Sequence, residues 1–111
     1  MKINKTKIGV ISYIEPAVPI ANEGVNDLKD VIEACHKENE FKIVINFRDV
    51  PYIDSDGLEL LLDILKKVRI KGGSIKISDP NPICSDILIA TRFNTIFEIY
   101  SSADQAGKSF L

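Results

Sequence analysis

Between Phe41 and Phe47 the chain reads FKIVINF, and Ile43, Val44, Ile45 and Phe47 make a nearly unbroken apolar run. A strand with one face in water alternates apolar and polar residues. An unbroken run belongs to a strand covered on both faces, as in a parallel or mixed sheet flanked by helices. Ile43 to Phe47 is therefore expected at the centre of a sheet. Pro51, which cannot donate to a strand ladder, closes the segment, and Tyr52-Ile53 leads into Asp54-Ser55-Asp56-Gly57.

From Leu58 onward, Leu58, Leu61, Leu62, Leu65 and Val68 recur at helical spacing, and Lys71-Gly72-Gly73 supplies the cation and glycines of a helix end. Ser55 thus sits at or just before a helix N-terminus. Unpaired backbone N–H groups and the positive end of the helix dipole favour an anion at that place, including a phosphate carried on the serine itself. Leu60 and Ile64 widen the apolar arc of this helix to roughly 200°, more than packing on one sheet face requires. Either a neighbouring helix covers them, or they join Glu59 and Asp63 in a partner-binding surface beside Ser55.

The run from Ile43 to Ile64, IVINFRDVPYIDSDGLELLLDI, resembles the core of the STAS domain, the family named for sulfate transporters and bacterial anti-sigma factor antagonists. The shared pattern is an apolar strand, a turn ending in Asp-Ser, a variable small residue, Gly-Leu and an apolar helix. Lys71-Gly72-Gly73 with the β-type run after it, Thr91 to Phe97, and Glu98-Ile99-Tyr100 are similar to later family elements in the same order. The resemblance implies a four- to five-stranded mixed β-sheet flanked by about four helices, an α/β fold. It also implies that Ser55 is the hydroxyl phosphorylated by a partner kinase; the expected partner contact is Asp54, Ser55, Asp56 and Gly57, joined on the second reading of the helix arc by Glu59, Leu60, Asp63 and Ile64. Two departures stand out. Asp56 replaces the commoner Ser, Thr or Ala, and Glu15 to Gly24 lacks the Gly-x-Leu-Asp often found there.

The rest of the chain is read in order. Ile8, Val10, Ser12 and Ile14 alternate with Gly9, Ile11 and Tyr13, which suggests one strand across these residues with Lys2 to Lys5 pairing beside it. Glu15 to Gly24 is a connection. Val25, Leu28, Val31, Ile32 and Cys35 share one face of an amphipathic helix from Val25 to about Glu38. Cys35 is expected as a buried small hydrophobe, and adjacent Cys35 and His36 diverge by about 100° on a helix, too far apart to act as nucleophile and base. Ser74 to Ser78 is a further strand. Asn81 or Asp79 caps a helix from Ile83 to about Ala90, with Ile83, Ile87 and Leu88 apolar. Phe97 to Tyr100 is the last strand, and Ser102 to Phe110 a terminal helix. The order β, β, α, β, α, β, α, β, α implies parallel pairing among the middle strands.

Its 111 residues suit a single domain. A net charge of −2 without a basic run gives no electrostatic footprint for nucleic acid. The N-terminus does not read as a signal peptide, no stretch is apolar enough to span a bilayer, and Cys35 and Cys84 suit reduced thiols, so a free-standing cytoplasmic domain without membrane insertion is expected. A calcium loop beginning at Asp54 would need a bidentate Glu where Leu65 stands, so no metal or cofactor is expected. Asp54-x-Asp56-Gly57 after an apolar strand is also the arrangement of haloacid-dehalogenase phosphotransferases, which want a further lysine and a downstream acidic pair for Mg²⁺, but after Ser78 the only acidic residues are the isolated Asp79, Asp86, Glu98 and Asp104. The resemblance implies an anti-sigma factor antagonist that is not itself an enzyme. Its partners would be an anti-sigma factor that is also a serine kinase and a serine phosphatase, and the chain would be a monomer or weak dimer. Two alternatives are a STAS subunit docked on the ATPase of a lipid-transport complex, and a small phosphotransferase using Asp54.

Overall fold

Gly9, at φ 62°, is where the N-terminal segment turns back on itself. The expected single strand across Ile8–Ile14 is instead a hairpin, a correction that follows from this one residue. Strand β1 (Ile3–Ile8) pairs antiparallel with β2 (Ile11–Pro16), Ile8 opposite Ile11, leaving Gly9-Val10 as a two-residue loop. Glycine at the first loop position is what a type II′ turn requires, because a side chain is disfavoured at that positive φ. Alternation alone could not reveal the break.

The computed structural model describes residues 2–111. After the hairpin come α1 (Glu23–Lys37), β3 (Lys42–Asn46), α2 (Ser55–Ile70), β4 (Ser74–Ser78), α3 (Pro82–Ala90), a short 3-10 turn at Phe93–Thr95, β5 (Glu98–Tyr100) and α4 (Ala103–Lys108). The five strands form one sheet in the order β1-β2-β3-β4-β5, with every pair after the first parallel. The sheet is mixed and β3 lies at its centre, as the apolar run implied. Each parallel step crosses over through one helix.

Alternate side chains sort the two faces. Ile14, Ile43, Ile45, Phe47, Ile75 and Ile77 join Leu28 and Ile32 of α1, Leu61, Leu65 and Val68 of α2, and Cys84 and Leu88 of α3 in the main core. Ile11 and Val44 point the other way, where Ala106 of α4 covers them. Ile43, Val44, Ile45 and Phe47 have no exposed surface, so the strand is sealed on both sides. In α3 the inward residues are Cys84 and Leu88, an orientation that the spacing alone did not decide, and Ile83 is 60% exposed.

Two buried charges are matched. Glu40, just before β3, accepts from Lys5 Nζ, lies 3.1 Å from Lys7 Nζ and accepts from Ser12 Oγ at 3.3 Å, tying the hairpin to the C-terminus of α1. The Lys5 hydrogen bond, with Lys7 behind it, holds the Glu40 carboxyl down at about 2 against the opposing effect of burial. On the α4 side, Lys76 is 5% exposed, donates to Ser109 Oγ at 2.6 Å and lies 4.2 Å from the centre of the Phe110 ring.

Candidate functional site

Asp54 is the N-cap of α2. Its extended backbone, at φ −103° and ψ −175°, lets Oδ1 accept the Gly57 N–H at 2.9 Å, while Leu58 N–H bonds the Asp54 carbonyl at 3.0 Å. Ser55 is therefore the first residue of the helix, not its cap. It is exposed, and among the described residues its hydroxyl makes no hydrogen bond. The helix end is secured by the neighbour, which leaves the Ser55 hydroxyl free beside the unpaired N–H groups of the first turn.

Gly57 has a packing reason. The connection between β2 and α1 lies against this helix end: Ile20 N–H bonds the Tyr52 carbonyl at 3.1 Å, Asp54 N–H the Ile20 carbonyl at 3.4 Å, and Ile20 and Ile53 form a parallel bridge. A Cβ on residue 57 would run into the Ile20 carbonyl oxygen and come within 2.7 Å of Ile53 Cγ1. The loop from Glu15 to Gly24 therefore touches the Ser55 end of α2. Tyr52, which the sequence offered only as part of a connection, is 43% exposed at this edge beside Val18, Pro19 and Ala21. Its place just before the Asp-Ser pair was the available signal.

A groove of about 430 Å³ runs between α1 and α2. Asp56, Glu59 and Asp63 recur at helical spacing along its α2 wall, and all three are exposed. Leu60 and Ile64 line it too but are only 9% and 3% exposed, covered by α1 as the first of the two readings had it. They are floor rather than rim. Lys29, Glu33 and His36 stand on the α1 side, and Lys66 and Lys67 on α2, so both signs of charge border the groove. Burial, then Lys67, pushes the His36 imidazole down from its ordinary value. The structure thus brings Asp56, Gly57, Glu59, Leu60, Asp63 and Ile64 to one helix, with Asp54 and Ser55 at its start.

Two further features border the site. Asn81 caps α3, accepting the Cys84 N–H at 2.7 Å, and donates through Nδ2 to the Val50 carbonyl at 2.8 Å, so the start of α3 is pinned to the segment that leads into Asp54. Cys35 and Cys84 are both buried free thiols, and burial pushes each up. Among the described residues no three or more His, Cys, Asp or Glu side chains are grouped to hold a metal ion, and no helix is long and apolar enough to cross a membrane.

Comparison with known proteins bears on this arrangement directly. Residues 2–106 match the model of the STAS domain. BtrV of Bordetella bronchiseptica, which carries the name of an anti-sigma factor antagonist, is 25% identical over 112 residues, covering 99% of this chain and 95% of BtrV. A Thermotoga neapolitana protein of the same designation is 34% identical over 65 residues, covering 59% of this chain and 58% of the relative. The match thus spans little more than half of that relative's length. In fold, the chain is similar to the anti-sigma factor antagonist SpoIIAA in its unphosphorylated form, with TM-score 0.83, 14% identity and coverage of 97% of this chain and 95% of SpoIIAA. The phosphorylated Bacillus form superposes with TM-score 0.73 at 13% identity, covering 98% and 99%.

Proposed function

The chain belongs to the STAS domain family, and from that premise we propose that it is an anti-sigma factor antagonist switched by phosphorylation of Ser55. Unphosphorylated, it captures an anti-sigma factor that is also a serine kinase, and so frees a sigma factor. A serine phosphatase resets it. The protein is a substrate in this cycle and not an enzyme, and it works in the cytoplasm. The observation that carries the reading is the division of roles at the start of α2: Asp54 caps the helix, and Ser55 beside it is exposed with its hydroxyl unengaged.

The physical account needs no large movement. A phosphate on Ser55 adds roughly −1.5 to −2 of charge, which the N–H groups and dipole of the helix end accept, so the domain stays folded. The same charge at the partner contact brings repulsion and a desolvation cost. Asp56, Glu59 and Asp63 already place negative charge along this side of α2, so the partner either matches Asp56 with a cation or binds more weakly, and the phosphate adds to that charge. The names of BtrV and SpoIIAA, and the existence of SpoIIAA in both forms, support the assignment.

Incubation with the cognate anti-sigma factor, ATP and Mg²⁺, followed by mass spectrometry, tests it. Ser55 is the expected site, Ser55→Ala removes modification and keeps binding, and Ser55→Asp keeps the fold and weakens binding. Full modification of Ser55→Ala at another residue would overturn the proposal. Two other roles predict different results. A phosphotransferase would lose a Mg²⁺-dependent activity with Asp54→Asn, whereas the cap geometry of Asp54 favours a structural task. A subunit docked on a transport ATPase would be indifferent to both substitutions at Ser55.

A further inference from the structure

The two ends of the sheet differ in charge and in what they expose. Where β3 and β4 finish and α2 begins, acids lead the helices: Glu23 on α1, and Asp54 and Asp56 on α2. At the opposite end cations gather. Lys37 closes α1, Lys67 and Arg69 lie in the last turn of α2, Lys71 follows it, and Lys42 opens β3. The acids of that end are Glu40, buried against Lys5 and Lys7, Glu98, 3.6 Å from Lys76 Nζ, and Glu38, which is exposed. Among the described residues, these cations thus face Glu38 as the one acid without an ion pair. Helix dipoles sort charge in this way, but they do not call for apolar side chains among the cations.

Such side chains are present. Ile8 and Val10 are 62% and 64% exposed at the tip of the hairpin, and Ile70, the last residue of α2, is 82% exposed. Val10 holds the second position of the Gly9-Val10 turn, where a tip in water carries Asn, Asp or Ser. The three loops of this end lie side by side. Ser12 pairs with Ile43, which sets the hairpin tip beside the start of β3, and Val10, Phe41, Lys42, Lys71 and Gly72 border one cleft. A protein partner is gripped chiefly by aromatic anchors in well-packed pockets. Here aliphatic tips project from separate loops among lysines, and Phe41 beside them is half-buried. An anionic bilayer suits that pattern, because cations meet its headgroups while short apolar side chains reach the boundary with the acyl chains.

We propose that this end of the domain, Ile8, Val10 and Ile70 with Lys42, Arg69 and Lys71, is a peripheral docking surface for the anionic headgroups of a lipid bilayer. The contact rests on the membrane surface and spans nothing. Ser55 begins α2 and Ile70 ends it, so along this 16-residue helix the serine stands roughly 22 Å from the docking end and faces away from the bilayer. A bound domain therefore keeps its Ser55 end open to a protein partner, and the docking does not depend on whether that serine is modified.

Co-sedimentation of the full chain with vesicles at about 0.1 M salt tests the proposal, with far-UV circular dichroism confirming that each variant is folded. Binding is expected to vesicles of equal parts phosphatidylglycerol and phosphatidylcholine, and not to phosphatidylcholine alone. Lys42→Gln combined with Lys71→Gln should weaken it at least about tenfold. Lys2→Gln combined with Arg48→Gln makes the same change in net charge at the Ser55 end, where Lys2 bonds Ala17 N–H and Arg48 follows β3, and should leave binding within about twofold of wild type. Val10→Ser combined with Ile70→Ser keeps every charge and should weaken binding about tenfold through the lost apolar contact. A chain that does not sediment with the anionic vesicles would overturn the proposal, as would an equal loss from the two charge pairs. Full binding by the Val10→Ser, Ile70→Ser variant would overturn it too, since cations alone would then suffice and any polyanion could take the place of the bilayer.

Discussion

Gly57→Ala separates two physical expectations of opposite sign. Helix propensity alone favours alanine in the first turn of α2 by up to about 1 kcal/mol. The structure opposes it, because the added Cβ would collide with the Ile20 carbonyl oxygen and crowd Ile53 Cγ1 and Ile20 Cγ2 at 2.7 and 2.9 Å. Backbone oxygen cannot rotate away as a side chain can. Relief requires the start of α2 and the Ile20 loop to part, at the expense of the Asp54 N–H to Ile20 bond at 3.4 Å and the Ile20–Ile53 bridge. Overpacking of this kind costs about 1–3 kcal/mol, which exceeds the propensity gain, and a net loss of about 1–2 kcal/mol is expected. Urea titration should show a lower midpoint with an unchanged slope. A midpoint equal to or above wild type would refute the close-approach argument.

Ile45→Ala should cost about 2–5 kcal/mol in the same titration, because Ile45 is fully enclosed at the sheet centre; a loss under about 1 kcal/mol would contradict that enclosure. Asp54→Ala should cost about 1 kcal/mol through the lost cap, and Ser55→Ala should be close to neutral in stability, since residue 55 does not cap. The carboxyl of Glu40 is depressed to about 2 by Lys5 first and Lys7 second, so its contribution is present above the ordinary value near 4.5 and is lost as pH falls toward 2; Glu40→Gln should flatten the stability profile in that window. His36 is depressed by burial and Lys67, so the unfolded chain binds its proton more readily and stability should also fall as pH drops through about 6.5, a slope that His36→Gln should remove.

Much of the fold was legible because local signals and packing agree. The unbroken run Ile43 to Phe47 named the central strand, and Ser74–Ser78 and the helix end at Ile70 fell where the sequence put them. What was missed or left open came from places where periodicity carries no information. The pattern from Ile8 to Ile14 alternates as well across a hairpin as along a strand, and only the positive φ of Gly9 decides. In α3 almost every residue is apolar, so no stripe existed to mark the inward face, and Cys84 with Leu88 took it. Leu60 and Ile64 were ambiguous because their cover comes from α1, whose approach to α2 is a tertiary fact.

At the start of α2 the sequence showed which residues meet, Asp54, Ser55 and Gly57, but not which of them caps the helix. Asp-Ser at a helix start admits either residue as the cap, and the two choices differ in what they leave for regulation. A capping serine would have its oxygen committed to the helix, so that adding a phosphate there would also disturb the helix end. With Asp54 in that position, bonded to Gly57 N–H at 2.9 Å, the same change on Ser55 alters surface charge while the cap stays in place. Gly57 serves the same separation from the other side, since its missing side chain lets the Ile20 carbonyl close over the first turn and fix it independently of residue 55. A switch that must change a partner's affinity without unfolding its own domain needs this independence. It follows that combining Ser55→Asp with Asp54→Ala should lower stability by no more than the Asp54 loss alone, about 1 kcal/mol, whereas a cap shared between the two residues would make the double variant worse than the sum.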